Sequence, residues 1–232
     1  MSSIEQAVIL AGGLGTRLGE LTKGTPKPLL EVGGKPFLAH LVGELRRQGV
    51  KRILISGGFA GEKLTAAFAG QGDVTVRIEP EPLGTGGALR FVAEDLDERF
   101  FFMNGDSLFD IDVWDLDRAG ADAPAALALR RVEDAGRYGS VDLDGEFIIA
   151  FGEKRGPGPG VINGGVAALS RAILDLIPAG RAVSIEAEVY PVLAARRELK
   201  GRIYEGAFLD IGVPEDFARS HDWIRAVLAG RA

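Results

Sequence analysis

The sequence predicts an α/β protein, with helices on both faces of a mostly parallel central sheet and an antiparallel addition to that sheet. Three observations carry this. Short apolar runs alternate with amphipathic helical stretches from residue 7 to residue 103, which is the signature of successive strand–helix units. The connections between them are short. After residue 120 the alternation stops, and an Asp144-Gly145 pair between two strand-like runs signals a hairpin.

Taken in order, AVILA (7–11) is a short apolar run ending at glycines and reads as a buried strand. Residues 37–48 place Phe37, Leu38, Leu41, Val42 and Leu45 on one helical face, with Pro36 near the start and Gly49 just past the end. RILIS (52–56) is a strand, GEKLTAAFA (61–69) a helix, VTVRIE (74–79) a strand, GALRFVAEDL (87–96) a helix and FFFM (100–103) a strand. A sheet built this way is parallel and covered on both faces, and its ligands sit beyond the carboxyl ends of the strands. The glycine-rich stretch after residue 11 and Asn104-Gly105-Asp106 both fall at such ends.

In the second half, AALALRR (125–131) is a strand, and YGSVDLD and EFIIAFGE flank the Asp144-Gly145 turn. GPGPG (156–160) is a loop, and VINGGVAAL (161–169) is a strand. Helices are expected over 171–177 and 184–197, and RIYEGAFLDIG (202–212) as one strand. Pro214 opens a last helix with Glu215 and Asp216 in its first turn. No repeat or long linker divides the chain, so one domain is expected over residues 1–232.

Composition narrows the function classes. Hydrophobic residues make up 46% of 232 residues, enough for a substantial core. There is no cysteine, which excludes disulfides, thiolate metal sites and a cysteine nucleophile and fits a reducing cytoplasm. The net charge of -6 argues against nucleic acid as a main partner. No apolar run is long enough for a membrane span, and the first residues lack the pattern of a signal peptide. A small anionic ligand needs only a local cationic pocket.

Such a pocket is suggested by LAGGLGTRLGELTKGTPKP (10–28), which concentrates Arg17, Lys23 and Lys27 against a single acid, Glu20. It is neither a P-loop, since GxxxxGK[ST] is absent, nor a dinucleotide fingerprint, since the third glycine, Gly19, comes one place late. Its physical logic is nevertheless that of an anion site. Glycines let backbone N–H groups approach a ligand closely. Arg17 can grip phosphate oxygens through two parallel hydrogen bonds, and Pro26 and Pro28 stiffen the backbone that carries Lys27. Read without a ligand, the same stretch is a charged surface loop.

The stretch LAGGLGTRLGELTKGTPKPLL resembles the signature loop of the sugar-phosphate nucleotidyltransferases. Further segments of the chain resemble that family in the same order: EPLGTGGAL (81–89), NGD (104–106), RYGSV (137–141), EK (153–154), INGG (162–165) and DIGVPEDF (210–217). The combination is most similar to the D-glycero-α-D-manno-heptose 1-phosphate guanylyltransferases. The N-acetylmuramate 1-phosphate uridylyltransferases and the mannose 1-phosphate guanylyltransferases are the nearest rivals. The resemblance implies a Rossmann-like three-layer α/β/α nucleotidyltransferase fold. The nucleotide would bind within about residues 1–120, and the sugar phosphate within about 121–232. It also implies transfer of a nucleotidyl group, with GMP from GTP favoured, to a sugar 1-phosphate. Many such enzymes carry a further C-terminal domain; here the sequence ends at Ala232, and a lone catalytic domain is expected.

The resemblance also assigns residues. Leu10, Ala11, Gly12 and Gly13 would line the base and ribose, with Gly15 and Thr16 completing the nucleotide loop. Arg17 and Lys27 would hold the triphosphate, Lys27 near the α-phosphate. Glu79, Glu81, Leu83, Gly84, Thr85, Gly86 and Gly87 would form the base-recognition loop, where a glutamate accepting guanine N1–H and N2–H₂ mildly favours GTP. The segment read alone is a loop with Thr85 as a helix N-cap. Asn104, Gly105, Tyr138, Gly139, Glu153, Lys154 and Asn163 would contact the sugar phosphate. Lys154 would bind its phosphate, and Glu153 and Asn163 its hydroxyls. Tyr138 and Phe151 would offer apolar contact to the ring. Asp106 and Asp210 would bind Mg²⁺, a cation that takes few protein ligands. Asp106 alone reads as part of an Asn-Gly hairpin turn, and Asp110 and Asp112 fit a helix start better than a metal site. His40 and His221 lie outside every motif and are expected to be structural or exposed. Two other classes remain open: a nucleotide-sensing subunit without catalysis, which the intact Arg17, Lys27, Asp106 and Asp210 argue against, and a dinucleotide-dependent oxidoreductase, which the misplaced glycine disfavours.

Overall fold

The computed structural model describes residues 4–13, 15–136, 138, 140–152 and 158–229. The strands are β1 (Gln6–Ala11), β2 (Glu31–Val32), β3 (Lys35–Pro36), β4 (Arg52–Gly57), β5 (Val74–Ile78), β6 (Arg99–Asn104), β7 (Ser107–Phe109), β8 (Ala125–Val132), β9 (Ser140–Asp144), β10 (Phe147–Gly152), β11 (Gly160–Ser170), β12 (Leu199–Ile203) and β13 (Phe208–Asp210). The α-helices are α1 (Phe37–Arg47), α2 (Gly61–Ala67), α3 (Gly84–Phe91), α4 (Val113–Ala119), α5 (Tyr190–Ala195) and α6 (Pro214–Ala229).

Nine strands form one sheet in the order β5-β4-β1-β6-β11-β8-β12-β10-β9. The first four are parallel, with β1 between β4 and β6. Then β11 runs antiparallel to both β6 and β8, β12 runs parallel to β8, and β10 runs antiparallel to β12 and β9. Strands from both halves of the chain therefore share one sheet, a parallel part extended by a mixed one.

Alternation along the strands builds a core on each face. On β6, Phe101 and Met103 join Ala7, Ile9, Ile53 and Ile55 on one face, where α1 buries Phe37, Leu38, Leu41, Val42 and Leu45. Phe100 and Phe102 join Val8 and Leu54 on the other, against Leu89 of α3 and Tyr190 and Leu193 of α5. Burying each such side chain removes roughly 1.5–3 kcal/mol worth of apolar surface from water. Among the described residues no helix is long and apolar enough to cross a membrane.

Three local expectations are corrected. The strand expected over 202–212 is two strands: β12 stays in the large sheet, while β13 leaves it to pair antiparallel with β7. The break falls near Gly206, which packs so tightly on the Asp110 carbonyl that a Cβ would lie 1.8 Å from its oxygen. The hairpin that Asn104-Gly105-Asp106 offers when read alone, which the apolar FFFM run and the ligand-side place of Asp106 argue against, is not formed: β7 pairs with β13 and not with β6. The helix expected over 87–96 starts earlier, at Gly84, and ends at Phe91 before a separate 3₁₀ turn, Ala93–Asp95. The two later helices are a 3₁₀ segment, Arg171–Leu176, and a π-helical turn, Ile185–Val189, leading into α5.

Candidate active site

The chain places β4 and β5 on one side of β1 and returns to add β6 on the other. A crevice opens beyond the carboxyl ends where strand order reverses in this way, and it lies between β1 and β6, with Leu10 opposite Asn104. The two strand ends are locked together. Gly105 N–H donates to the Leu10 carbonyl at 2.8 Å, and a Cβ at residue 105 would sit 2.3 Å from that oxygen. Only glycine permits this approach.

The glycine-rich loop folds over the crevice. Gly15 adopts a left-handed conformation with φ +65°, and a Cβ there would meet the Thr22 side chain at 2.8 Å. The Thr22 hydroxyl lies 3.2 Å from the Gly15 carbonyl and 3.1 Å from that of Gly19, so it closes the loop on itself. Lys27 begins a short 3₁₀ turn, Lys27–Leu29, and is buried together with Pro26 and Pro28. Its Nζ meets Asp106 Oδ2 at 2.5 Å. Arg17 is exposed at the rim. The resulting cleft, about 290 Å³, is lined by Leu10, Ala11, Gly13, Gly15, Thr16, Arg17, Lys27, Thr85, Asn104, Gly105 and Asp106. Pro28, expected only to stiffen the backbone at Lys27, also lines it, as does Gly212, which sequence reasoning did not single out.

Asp210 reaches the same region from β13, whose pairing with β7 puts it opposite Ser107, the neighbour of Asp106. Its Oδ1 accepts the Gly212 N–H at 2.6 Å. Burial pushes the Asp210 carboxyl above its ordinary range and the charge of Asp106 adds to this, while Lys27, the Gly212 N–H and Arg17 oppose it. Two carboxylates close enough to repel are a hard-oxygen donor set of the kind a divalent cation takes when water and phosphate oxygens complete its shell. No group of three or more possible metal ligands occurs among the described residues.

Other predicted residues are placed less directly. Glu79 is buried behind the glycine loop: Ser56 Oγ donates to its Oε1 at 3.0 Å, Leu83 N–H reaches Oε2 at 3.4 Å, and a Cβ on Gly12 would lie 2.9 Å from Oε1. Burial raises the Glu79 carboxyl against these two hydrogen bonds. Glu81 is exposed, and neither glutamate lines the cleft. Thr85 is not an N-cap: α3 has none from a side chain, and the Thr85 hydroxyl bonds to Glu186 instead. Gly84 and Gly86 pack on Val183, with Gly86 N–H donating to its carbonyl at 2.8 Å.

Tyr138 and Asp210 line a neighbouring hollow of about 290 Å³ with Phe208 and, from α6, Asp216, Arg219 and Trp223. Asn163 Oδ1 accepts Gly165 N–H at 3.0 Å where β11 bulges, and Gly165 abuts Asn104. Phe151 stacks on Tyr190 in the core, ring centres 5.7 Å apart. Gly139, Glu153 and Lys154 lie outside the described residues. Asp112 caps α4 by accepting Trp114 N–H at 2.9 Å. The histidines brace β2 and β3, His40 through the Val32 carbonyl and His221 through Gly33 N–H.

The Nucleotidyl transferase family profile matches residues 6–226. The chain belongs to that family. A D-glycero-alpha-D-manno-heptose 1-phosphate guanylyltransferase of Campylobacter jejuni is 36% identical over 91% of this chain and 96% of its own length. A mannose-1-phosphate guanylyltransferase of Mycobacterium tuberculosis is 37% identical over 95% of this chain, which spans 65% of that relative's length. Among solved structures, HddC from Yersinia pseudotuberculosis superposes with a TM-score of 0.85 at 32% identity, covering 95% of this chain and 100% of HddC, and has also been solved complexed with GMP-PN. The order of strands and the crevice at β1 and β6 thus belong to a family whose shared chemistry is nucleotidyl transfer.

Proposed function

We propose that the chain transfers GMP from GTP to D-glycero-α-D-manno-heptose 1-phosphate, giving a GDP-sugar and pyrophosphate. The observation that carries this reading is the cleft itself, where Arg17 lines the same hollow as the Lys27–Asp106 pair beyond the ends of β1 and β6. The near-full-length match to a heptose 1-phosphate guanylyltransferase supports the choice of sugar and base. Mannose 1-phosphate is the second reading, supported by the 37% identical mannose relative. The cysteine-free chain and nucleotide substrate fit action in the cytoplasm.

The reaction needs little beyond placement and charge. An oxygen of the sugar phosphate attacks the α-phosphorus of GTP in line; the bond to the bridging oxygen of the β-phosphate breaks, and pyrophosphate leaves. The nucleophile is already anionic at neutral pH, so no general base is required, and both histidines are occupied in bracing β2 and β3. Gly13, Gly15 and Thr16 cradle the phosphates, Arg17 orients the triphosphate, and Lys27 offsets charge at the α-phosphate. Asp106 and Asp210 would hold Mg²⁺, which would supply further neutralisation of the phosphate oxygens. Tyr138, Gly139, Glu153, Lys154 and Asn163 receive the sugar phosphate.

The test is pyrophosphate release with each of the four ribonucleoside triphosphates against heptose 1-phosphate and mannose 1-phosphate. Release with GTP and the heptose phosphate is expected. Release that prefers mannose 1-phosphate favours the second reading.

A further inference from the structure

The loop from Gly15 to Thr25 supplies Thr16 and Arg17 to the cleft and leads through Pro26 into Lys27. Its hydrogen bonds are nearly all its own. The Thr22 hydroxyl reaches the Gly15 and Gly19 carbonyls, Lys23 N–H donates to the Glu20 carbonyl at 3.2 Å, and Thr25 N–H donates to the Thr22 carbonyl at 3.3 Å. Leu18 is buried, outside the two hydrophobic cores. Among the described residues, one hydrogen bond ties residues 15–25 to a part of the chain beyond the loop. In it Lys63 Nζ donates to the Gly24 carbonyl.

The two ends of this bond differ in rigidity. Lys63 is exposed but stands on α2, whose Leu64 is fully buried in the same core as α1. The start of α2 is closed by Gly61 N–H on the Gly58 carbonyl at 3.1 Å and by Lys63 N–H on the Ala60 carbonyl at 3.0 Å. Gly58 backs onto β1's end, where a Cβ would lie 3.0 Å from the Gly12 oxygen. Gly24 turns with φ +74° and has open space where a Cβ would be. The glycine there serves the turn and not a close contact. The turn presents its carbonyl to the amine, three residues before Lys27.

We propose that Lys63 is a positioning residue, which holds the Gly15–Thr25 loop in the conformation that receives the triphosphate and acts through the Gly24 carbonyl without touching substrate. This rests on the guanylyl-transfer reading above. When the competent conformation is only partly populated, apparent affinity falls by that fraction. An exposed charged donor on one carbonyl is worth about three- to fivefold in that population.

The experiment measures kcat and KM for GTP and for heptose 1-phosphate, the melting temperature, and hydrogen–deuterium exchange across residues 15–26, in the wild type, Lys63→Met and Lys63→Arg. In Lys63→Met, KM for GTP is expected to rise about three- to fivefold. The Lys23 and Thr25 amides exchange faster, while KM for the sugar phosphate and the melting temperature stay at wild-type values. Lys63→Arg, which keeps a cationic donor, restores both changed readings. Exchange as slow in Lys63→Met as in the wild type overturns the proposal, and a raised KM beside it makes Lys63 a ligand of the triphosphate instead. Faster exchange with KM for GTP unchanged also overturns it. Absence of turnover with GTP in the wild type overturns the function reading, and the exchange comparison alone then decides whether Lys63 holds the loop.

Discussion

Lys27 Nζ and Asp106 Oδ2 meet at 2.5 Å, joining two groups 79 residues apart in the chain. The lysine side chain is 8% exposed and the aspartate 31%. A buried amine is thereby aimed at the point where β1 and β6 end, against a carboxylate at the mouth of the cleft. The pair is the electrostatic centre of the cleft.

Replacing Lys27 with methionine removes the cation and leaves most of the stem's volume. Turnover should fall by about 10²–10³, the usual effect of losing one preorganised charge-stabilising group. Asp106 is exposed enough to be solvated, so the melting temperature should move by only a few degrees. Steady-state pyrophosphate release and a thermal melt check both.

Arg17 is exposed and contributes little to folding. Arg17→Ala should reduce kcat/KM for GTP by several orders of magnitude while the melting temperature stays at the wild-type value. Near-normal activity would remove Arg17 from the triphosphate site.

Gly105→Ala forces a Cβ toward the Leu10 oxygen, 2.3 Å from its ideal position. The two strand ends must separate, and overpacking of this kind costs about 1–3 kcal/mol. Chemical denaturation should show that loss together with a collapse of activity.

Asp210 carries a pH signature. Its folded-state pKa is raised, by burial first and by Asp106 second, so the folded protein binds this proton more tightly than the unfolded chain. Stability therefore falls as pH rises from the ordinary carboxylate range through the raised value, and the full penalty is present above it. Asp210→Asn keeps an acceptor for Gly212 N–H. It should raise the melting temperature at neutral pH, flatten that part of the stability–pH curve, and abolish metal-dependent turnover. A variant less stable than wild type at neutral pH would contradict the assignment.

Much of the site is written locally. The apolar run into glycines at 7–13, the Pro-Lys-Pro at 26–28 and the FFFM run before Asn104 each state both a structure and a place at the strand ends. Relations across the chain are not legible in this way. Nothing near residues 79–81 reveals that Glu79 turns behind Gly12 while Glu81 faces solvent, because the burial comes from Ser56 on β4. The bond from Thr85 to Glu186 spans 101 residues and depends on how α5 and its π-helical turn dock. The separation of β12 from β13 depends on Asp110 lying against Gly206. Gly212 had a signal, a glycine two places after a carboxylate, and its N–H is what holds Asp210 Oδ1.

The most direct test of guanylyl transfer by this chain is pyrophosphate release from GTP in the presence of D-glycero-α-D-manno-heptose 1-phosphate and Mg²⁺, with each component omitted in turn. Release is expected only when all three are present, and is lost in the Lys27→Met protein. Release that persists without the sugar phosphate, or that is undiminished by Lys27→Met, would contradict it.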